Sequence, residues 1–309
     1  MGSIPDVKTE NPKASVVICT RNRGKSIVDA VETVLANKFL SFELLVIDQS
    51  TDRETENAIT RYKADPRFRY IFTNTKGTGI SRCLGLVEAN GQYILYTDDD
   101  CTVPQDWIEK ITNIFEANAK TGIVFSNVIP GEHDSEKGVI PNHSYEEDRT
   151  INSLLKYYKS IGMGAGMSVR RDFALAIGGF DQKLGPGSTF SSGEDHDMAL
   201  RALLKGWNVH ETNQTSVIHY GFRTYDQFRD LTVRDWVSMG AIYAKAFKSR
   251  QFSVLPIFLY NLLLRNFLKP LMMVLMFRKP QGFRRNIAFI QGFFAGLKVP
   301  VDSNQILYR

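Results

Sequence analysis

Apolar residues come in short bursts along this chain, each closed by a polar, turn-forming cluster. Ala14 to Thr20 (ASVVICT) and Phe42 to Ile47 (FELLVI) show no alternation, the pattern of strands buried on both faces. Phe68 to Phe72 and Tyr93 to Tyr96 repeat it. Between these runs the period changes. Ile27, Val31, Val34 and Leu35 share one helical face, with Ser26 placed to cap that helix. Further helices are predicted through Ala58 to Tyr62, from Gly77-Thr78-Gly79 past Leu86 and Val87, over Trp107 to Asn118, and from Gly193 to Leu204. Strands are predicted at Gly122 to Val128 and Ser216 to Tyr220. Helices alternating with buried strands predict an α/β fold on a doubly wound, mostly parallel sheet, with ligands at the carboxyl ends of the strands. Residues 130–150 read as a polar loop, and Gly185 to Gly193 as a flexible segment suited to moving over a site. Gly162-Met163-Gly164-Ala165-Gly166 reads as a tight bend or a place of close backbone approach.

The candidate chemistry lies where the strands end. Tyr93 to Thr97 runs straight into Asp98-Asp99-Asp100, with Pro104 four residues beyond. Adjacent carboxylates repel one another, and burying them is costly without a cation. Mg²⁺ takes oxygen ligands and bridges carboxylates to substrate phosphates. The same triplet also fits a strand-to-helix turn with one Asp as a cap and the others solvated. Gly193-Glu194-Asp195-His196-Asp197 puts acid at a helix start, which the helix dipole alone can explain. His219 ends a strand and reads either as a ligand for metal or diphosphate or as a structural histidine. His133 and His143 fall in the polar loop and read as inert, and Arg223 fits a phosphate partner or a surface cation.

Taken in order, these segments resemble glycosyltransferase family 2 and its GT-A fold, over about Ala14 to Arg223. SVVICTRNR (Ser15 to Arg23) and ELLVIDQSTD (Glu43 to Asp52) are similar to the family's two nucleotide-binding segments. Gly79 to Gly85 resembles its Arg-Asn-x-Gly helix, with Cys83 in place of the Asn. Asp98-Asp99-Asp100 fits Asp-x-Asp, and Gly178-Gly179-Phe180-Asp181 followed by Glu194-Asp195 resembles the acceptor-side motif. The resemblance implies a Rossmann-like GT-A domain over residues 1–223, with a nucleotide-binding part at about 14–128 and an acceptor part at about 129–223. Residues 224–309 would then be a C-terminal helical extension. It implies an inverting transfer from a nucleotide-sugar donor, a UDP-sugar foremost, to a glycan or lipid-linked acceptor. Nucleotide binding would fall to Thr20, Arg21, Asn22, Arg23, Asp48, Gln49, Arg82, Asp98 and Asp99. Mg²⁺ or Mn²⁺ would sit on Asp100, Asp98 and His219. Asp195 would act as general base with Glu194 beside it for positioning. Gln49 stands where many UDP-using members carry a second Asp, so the base of the nucleotide stays open. Two other readings share parts of this pattern: a sugar-phosphate nucleotidyltransferase and a non-catalytic nucleotide- or glycan-binding module.

Composition adds location. The 309 residues, 43% hydrophobic and 23% charged, suit a folded protein of one large or two small domains. Cys19, Cys83 and Cys101 show no disulfide or metal spacing, which suits a reducing compartment. Met1 to Lys13 is polar and unlike a signal peptide. The net charge of +5 is uneven: residues 221–309 carry 14 Lys/Arg against four Asp/Glu, and no acid lies between Trp236 and Val301. Phe252 to Phe277 is strongly apolar but interrupted by Arg265 and Lys269, with Pro256 and Pro270 as breakers, and so falls short of a spanning helix. Gly282 to Leu297 is aromatic and basic. Such segments suit helices lying on an anionic membrane through residues 251–298, or a buried helical pair, or a homo-oligomer contact. No nucleic-acid motif accompanies the charge. The expectation is a cytoplasmic protein, peripheral on the inner face of the cell membrane.

Overall fold

The computed structural model describes residues 11–157, 162–277 and 283–309; the polar stretch before residue 11 and the start of the second tail segment at Gly282 lie outside them. β1 (Ala14–Thr20), α1 (Val28–Leu35), β2 (Phe42–Asp48), α2 (Glu54–Ile59), β3 (Phe68–Phe72), α3 (Thr78–Glu88) and β4 (Tyr93–Asp98) alternate as the apolar pattern requires. β3, β2, β1 and β4 lie side by side in that order, all parallel. β2 is buried at every position and β1 at all but one, because helices cover both sides. The chain winds outward from β1 to β3, then returns to the far side of β1. The winding reverses between the carboxyl ends of β1 and β4, and a crevice there is where open α/β sheets bind ligands. Ser26 does not cap α1. It lies in a 3₁₀ turn, Gly24–Ile27, and its hydroxyl donates to the Arg23 carbonyl at 2.6 Å.

Past β4 the sheet becomes mixed. β5 (Cys101–Thr102), α4 (Trp107–Ala117), β6 (Thr121–Pro130), β7 (Gly138–Val139), β8 (Arg149–Ile151), α5 (Leu154–Tyr157), β9 (Met167–Arg170), α6 (Arg171–Ala176), α7 (Glu194–Leu204), β10 (Asn208–His219) and β11 (Arg223–Thr224) follow. β9 lies antiparallel between β4 and β6, β10 runs parallel to β6, and β5 and β8 pair antiparallel with β10. The predicted strand at Ser216 is only the end of β10, whose first half is polar. Glu211 there is fully buried and paired with Arg149 at 2.5 Å, so no apolar run marks it. Residues 130–150 are more than a loop: β7 pairs with β11, Ile140 is buried, and His143 bridges to Val128. The Gly185 to Gly193 segment is tied down, with the Thr78 N–H donating to the Pro186 carbonyl at 2.9 Å.

The C-terminal region is α8 (Tyr225–Lys248), α9 (Leu255–Leu259), a π-helical stretch (Tyr260–Leu268), α10 (Lys269–Leu275) and α11 (Phe283–Lys298). Thr224 and Gln227 form a reciprocal capping box that starts α8. α11 lies hard against α8. A Cβ on Gly240 would come within 2.0 Å of the Phe289 carbonyl oxygen, and one on Gly292 within 1.8 Å of Val237 O. Trp236, Tyr243, Phe289 and Tyr308 belong to the same core as Val17, Leu45 and Met198, so the boundary expected at residue 223 does not separate two cores. Buried charge binds the two parts as well. Lys245 Nζ, fully buried, contacts Asp181 and lies 2.6 Å from Asp197 Oδ1, while Arg201 Nε lies 2.8 Å from Asp197 Oδ2.

Candidate active site

The crevice at the carboxyl ends of β1 and β4 opens into a cleft of about 970 Å³. Thr20 to Arg23, Gln49, Arg82, Asp98 to Asp100, Glu194, Asp195 and His219 all line it. The acidic groups on the two sides of the chain thus share one cavity.

Arg82 ties them together. It is 3% exposed on α3, with Nη2 3.2 Å from Asp98 Oδ1 and Nη1 3.0 Å from Glu194 Oε1. Tyr96 and Phe180 flank its guanidinium, centroids 5.8 and 5.7 Å away. Gly164 explains the glycine run before β9, since a Cβ there would lie 2.4 Å from Arg82 Nη1. Cys83, next to Arg82, accepts from the Phe180 N–H at 3.2 Å and so holds α3 to the Gly178–Asp181 segment. Arg82 was expected to contact nucleotide; its described partners are carboxylates.

On the β4 side of the cleft, the β5–β10 pairing places Cys101 opposite His219, and the Tyr220 N–H donates to the Asp100 carbonyl at 2.9 Å. His219 Nε2 consequently lies 3.4 Å from Asp100 Oδ1. Its other nitrogen, Nδ1, donates to the Pro141 carbonyl at 2.8 Å, which leaves Nε2 as the acceptor that a cation needs. Burial works against charging His219, but Asp100 raises it above its usual value. Burial would likewise raise Asp100, yet His219 and Arg23 hold it below the usual carboxylate range. Among the described residues, Asp100, Cys101 and His219 are the group whose ligand atoms lie close enough to hold a metal, all within 4.8 Å. Burial pushes the Cys101 thiol well up and keeps it protonated, so carboxylate and imidazole form the usable donor set, one that suits Mg²⁺ or Mn²⁺. Gly221 keeps the place open, because a Cβ there would stand 2.5 Å from His219 Nε2 and 3.0 Å from Asp100 Oδ2. Asp98 lies outside this group. Its carboxylate, at the end of β4, turns to Arg82 instead.

Arg23 is the cation now facing the triplet, with Nε 2.9 Å from Asp99 Oδ1 and Nη2 3.0 Å from Asp100 Oδ2. Burial pushes Asp99 up to about 6 against the pull of Arg23. Asn22 takes a left-handed φ of 54°, which Asn tolerates, and accepts from the Thr51 N–H at 2.8 Å, joining the loops after β1 and β2.

The assignment of Asp48 to the nucleoside needs correction. Asp48 is fully buried, accepting from Tyr70 OH at 2.8 Å and from the Ser50 N–H at 2.8 Å, and it does not line the cleft. Successive strand residues face opposite ways, so Gln49 is the one turned to the cavity. Its amide donates to Thr75 Oγ1 at 2.9 Å and accepts from the Gly77 N–H at 3.3 Å.

Across the cleft, Gly193 at φ 85° turns the chain into α7. Glu194 is buried against Arg82, and burial raises its carboxyl toward the neutral form. Asp195 accepts from the His196 N–H at 2.7 Å, and His196 Nδ1 lies 3.0 Å from the same oxygen. Burial would raise Asp195, but His196 overcomes it and holds the carboxylate down to about 2. Asp235 of α8 also reaches the cleft, its carboxylate accepting from Ser192 Oγ at 2.6 Å. Sequence reasoning read Gly164 as a place of close backbone approach without its partner, and it missed Ser192, Gly221 and Asp235 as site residues. Of these three, Gly221 alone carried a signal, as a glycine just past a predicted strand end.

Residues 15–177, more than half the chain, match the family model described as Glycosyl transferase family 2. The chain is similar to the Glucosyl-dolichyl phosphate glucuronosyltransferase of Haloferax volcanii, 25% identical over 233 residues covering 72% of this chain and 74% of the relative. Among solved structures it is similar to S. aureus TarS 1-349 in complex with UDP-GlcNAc, with TM-score 0.58 and 16% identity over 96% of this chain and 84% of that one. It is also similar to the mannosyltransferase PcManGT from Pyrobaculum calidifontis in complex with GDP-Man and Mn²⁺, with TM-score 0.58 and 16% identity over 78% and 65% of the two chains. At these identities the two structures speak for the GT-A fold.

Proposed function

The chain belongs to glycosyl transferase family 2 and is a glycosyltransferase, and from that premise we propose an inverting transfer from a UDP-sugar to a hydroxyl of a lipid-linked or cell-surface glycan. The observation that carries this reading is the single cleft lined by both Asp100 with His219 and Asp195. The donor diphosphate lies at the crevice between β1 and β4, facing Arg21 and Arg23, with the base toward Gln49. The acceptor hydroxyl lies at Asp195. Its oxygen forms a bond to the anomeric carbon as the bond from that carbon to the diphosphate oxygen breaks. The electron pair leaves with the nucleotide, and Asp195 takes the proton. Glu194 and Asp98, both held by Arg82, position the two halves. Mg²⁺ or Mn²⁺ on Asp100 and His219 supplies positive charge to the leaving diphosphate when bound. No carboxylic acid is needed to protonate the leaving group, unlike in glycoside hydrolysis. The likenesses to UDP-GlcNAc and GDP-Man complexes support a nucleotide-sugar donor, and the Haloferax relative's name supports a lipid-linked acceptor.

Thermal unfolding tests the donor site. A nucleotide at 100 times its Kd stabilises the fold by about 2.7 kcal/mol, so UDP with Mn²⁺ should raise Tm by several degrees, and EDTA or Asp100→Asn should abolish most of that rise. If no UDP-, GDP- or dTDP-sugar stabilises the protein with either metal, the donor reading fails.

We also place the enzyme on the cytoplasmic face of an anionic membrane. Among the described residues no helix is long and apolar enough to cross a bilayer. One face of α11 is buried on α8 through Ala288, Phe289, Gly292 and Gly296, so part of the tail is a helical pair. The opposite face is bare: Ile287 and Phe294 are more than half exposed, as are Leu264, Met272 and Leu275 in the preceding helices and Phe277 just past α10. Apolar side chains with surrounding Lys/Arg and no acid match an interfacial helix. The triple variant Leu264→Glu, Leu275→Glu, Phe294→Glu should cut co-sedimentation with phosphatidylglycerol vesicles at least tenfold while keeping the wild-type Tm. Unchanged sedimentation contradicts the placement.

A further inference from the structure

The cleft does not end at Asp195. It continues between α8 and the π-helical stretch, where Trp236, Met239, Tyr243, Ile257, Asn261 and Arg265 line it. Ile257, Asn261 and Arg265 are spaced by four and share the inward side. The π turn that carries Asn261 and Arg265 widens the helix at this point, a distortion common at functional sites. Asn261 is spent on local contacts, donating to Tyr243 OH at 3.0 Å and to the Ile257 carbonyl at 3.1 Å. Arg265 is not. Its guanidinium lies over the Trp236 ring, 5.1 Å from the centroid. No carboxylate lies within ion-pair distance of it among the described residues, and none occurs in the sequence between Trp236 and Val301. Burial lowers the Arg265 pKa, and the positive charge of Arg285 on α11 adds to it against the opposing pull of Tyr260. A half-buried guanidinium, a like charge beside it and an apolar wall are costly together unless an anion completes them. The outer side of the same stretch presents Leu263, Leu264, Phe267 and Leu268 to solvent.

We propose that this limb seats the phosphate of a prenyl-phosphate-linked acceptor: the phosphate on Arg265, the first lipid carbons against Trp236, Met239 and Ile257, and the tail leaving over the bare apolar helices toward the bilayer. The inference rests on the glycosyltransferase reading and narrows its acceptor to a lipid joined to sugar through phosphate. The phosphate supplies the missing anion, the chain fills the apolar wall, and the sugar beyond it extends along the cavity to Asp195. A guanidinium donates two parallel hydrogen bonds to a phosphate, which a Lys cannot match.

Trp236 reports on the site by its fluorescence. Farnesyl phosphate, farnesol, inorganic phosphate and phosphatidylglycerol vesicles are each titrated into the full chain, with Trp236→Phe to assign the signal. Farnesyl phosphate should bind at least tenfold more tightly than farnesol, and inorganic phosphate should produce no change at millimolar concentration. Arg265→Ala should remove the tenfold preference, while Arg265→Lys should keep part of it. Equal binding of farnesyl phosphate and farnesol to the wild type overturns the proposal, as does a preference that survives Arg265→Ala. A response to phosphatidylglycerol vesicles that equals the farnesyl phosphate response and vanishes in Arg265→Ala assigns the cation to bilayer headgroups, which also overturns it. The thermal response of the wild type to UDP, read on the same sample, separates the two levels. A UDP shift without farnesyl phosphate preference sinks this inference alone, and absence of both sinks the donor reading beneath it.

Discussion

Replacing Asp195 with Asn is expected to slow sugar transfer by roughly 100- to 10,000-fold, the usual worth of a positioned general base, while leaving the Tm rise with UDP and Mn²⁺ as in wild type. Three carboxylates of α7 and α8 line the cleft, and two are committed elsewhere. Glu194 lies 3.0 Å from a guanidinium that cannot give up its proton, and Asp235 accepts from Ser192. Among the described residues, Asp195 accepts hydrogen bonds from its neighbour His196, which holds it ionised against burial, with Arg82 adding to the effect. Asn keeps the shape and can still accept the His196 N–H, so the change removes basicity and little else. Turnover within a few-fold of wild type would show that another group takes the proton.

Arg82→Met should have the largest effect on the whole molecule. Removing one partner from a buried ion pair costs about 3–5 kcal/mol, because the remaining charge has neither water nor a counter-ion. Glu194 is the carboxyl stranded in this way, and because burial already draws it toward the neutral form it escapes part of that cost by taking up a proton. Asp98 has a side chain 39% exposed, so its pair with Arg82 adds little. The guanidinium denaturation midpoint should fall accordingly, and transfer should become undetectable because both walls of the cleft lose their common support. Gly164→Ala presses on the same guanidinium from the opposite side and should reproduce part of the loss. A midpoint unchanged in Arg82→Met would mean that the carboxylates have other partners and that the residue is no hub.

The parallel half of the sheet was legible because burial on both faces leaves unbroken Val/Ile/Leu runs. The mixed half was not. β9 is four residues long, and β10 begins with Asn208, His210 and Glu211, whose burial is balanced by Arg149 rather than announced by hydrophobicity. The Asp triplet, Glu194-Asp195 and His219 could be picked out as chemistry, and they do line one cavity. Their partners could not, since Arg82 reaches Glu194 across 112 residues and Lys245 reaches Asp181 across 64. Asp48 and Gln49 were both read as nucleotide contacts because a fully buried strand gives no alternation from which to read phase, and phase decides which of two neighbours lines the cleft: Gln49 does and Asp48 does not. α8 did carry a signal, the Thr224–Gln227 capping box, but a basic tail was read for its charge and not for its first turn. The membrane and helical-pair readings of that tail turned out not to exclude each other: α11 has one face on α8 and another bare.

The account stands on a single carboxylate acting directly across the cleft from the diphosphate, with no covalent sugar intermediate. Proton NMR of the sugar first released from the donor that stabilises the protein, recorded before mutarotation, tests this. Direct displacement predicts the anomer opposite in configuration to the donor. Release of the same anomer as the donor would contradict it.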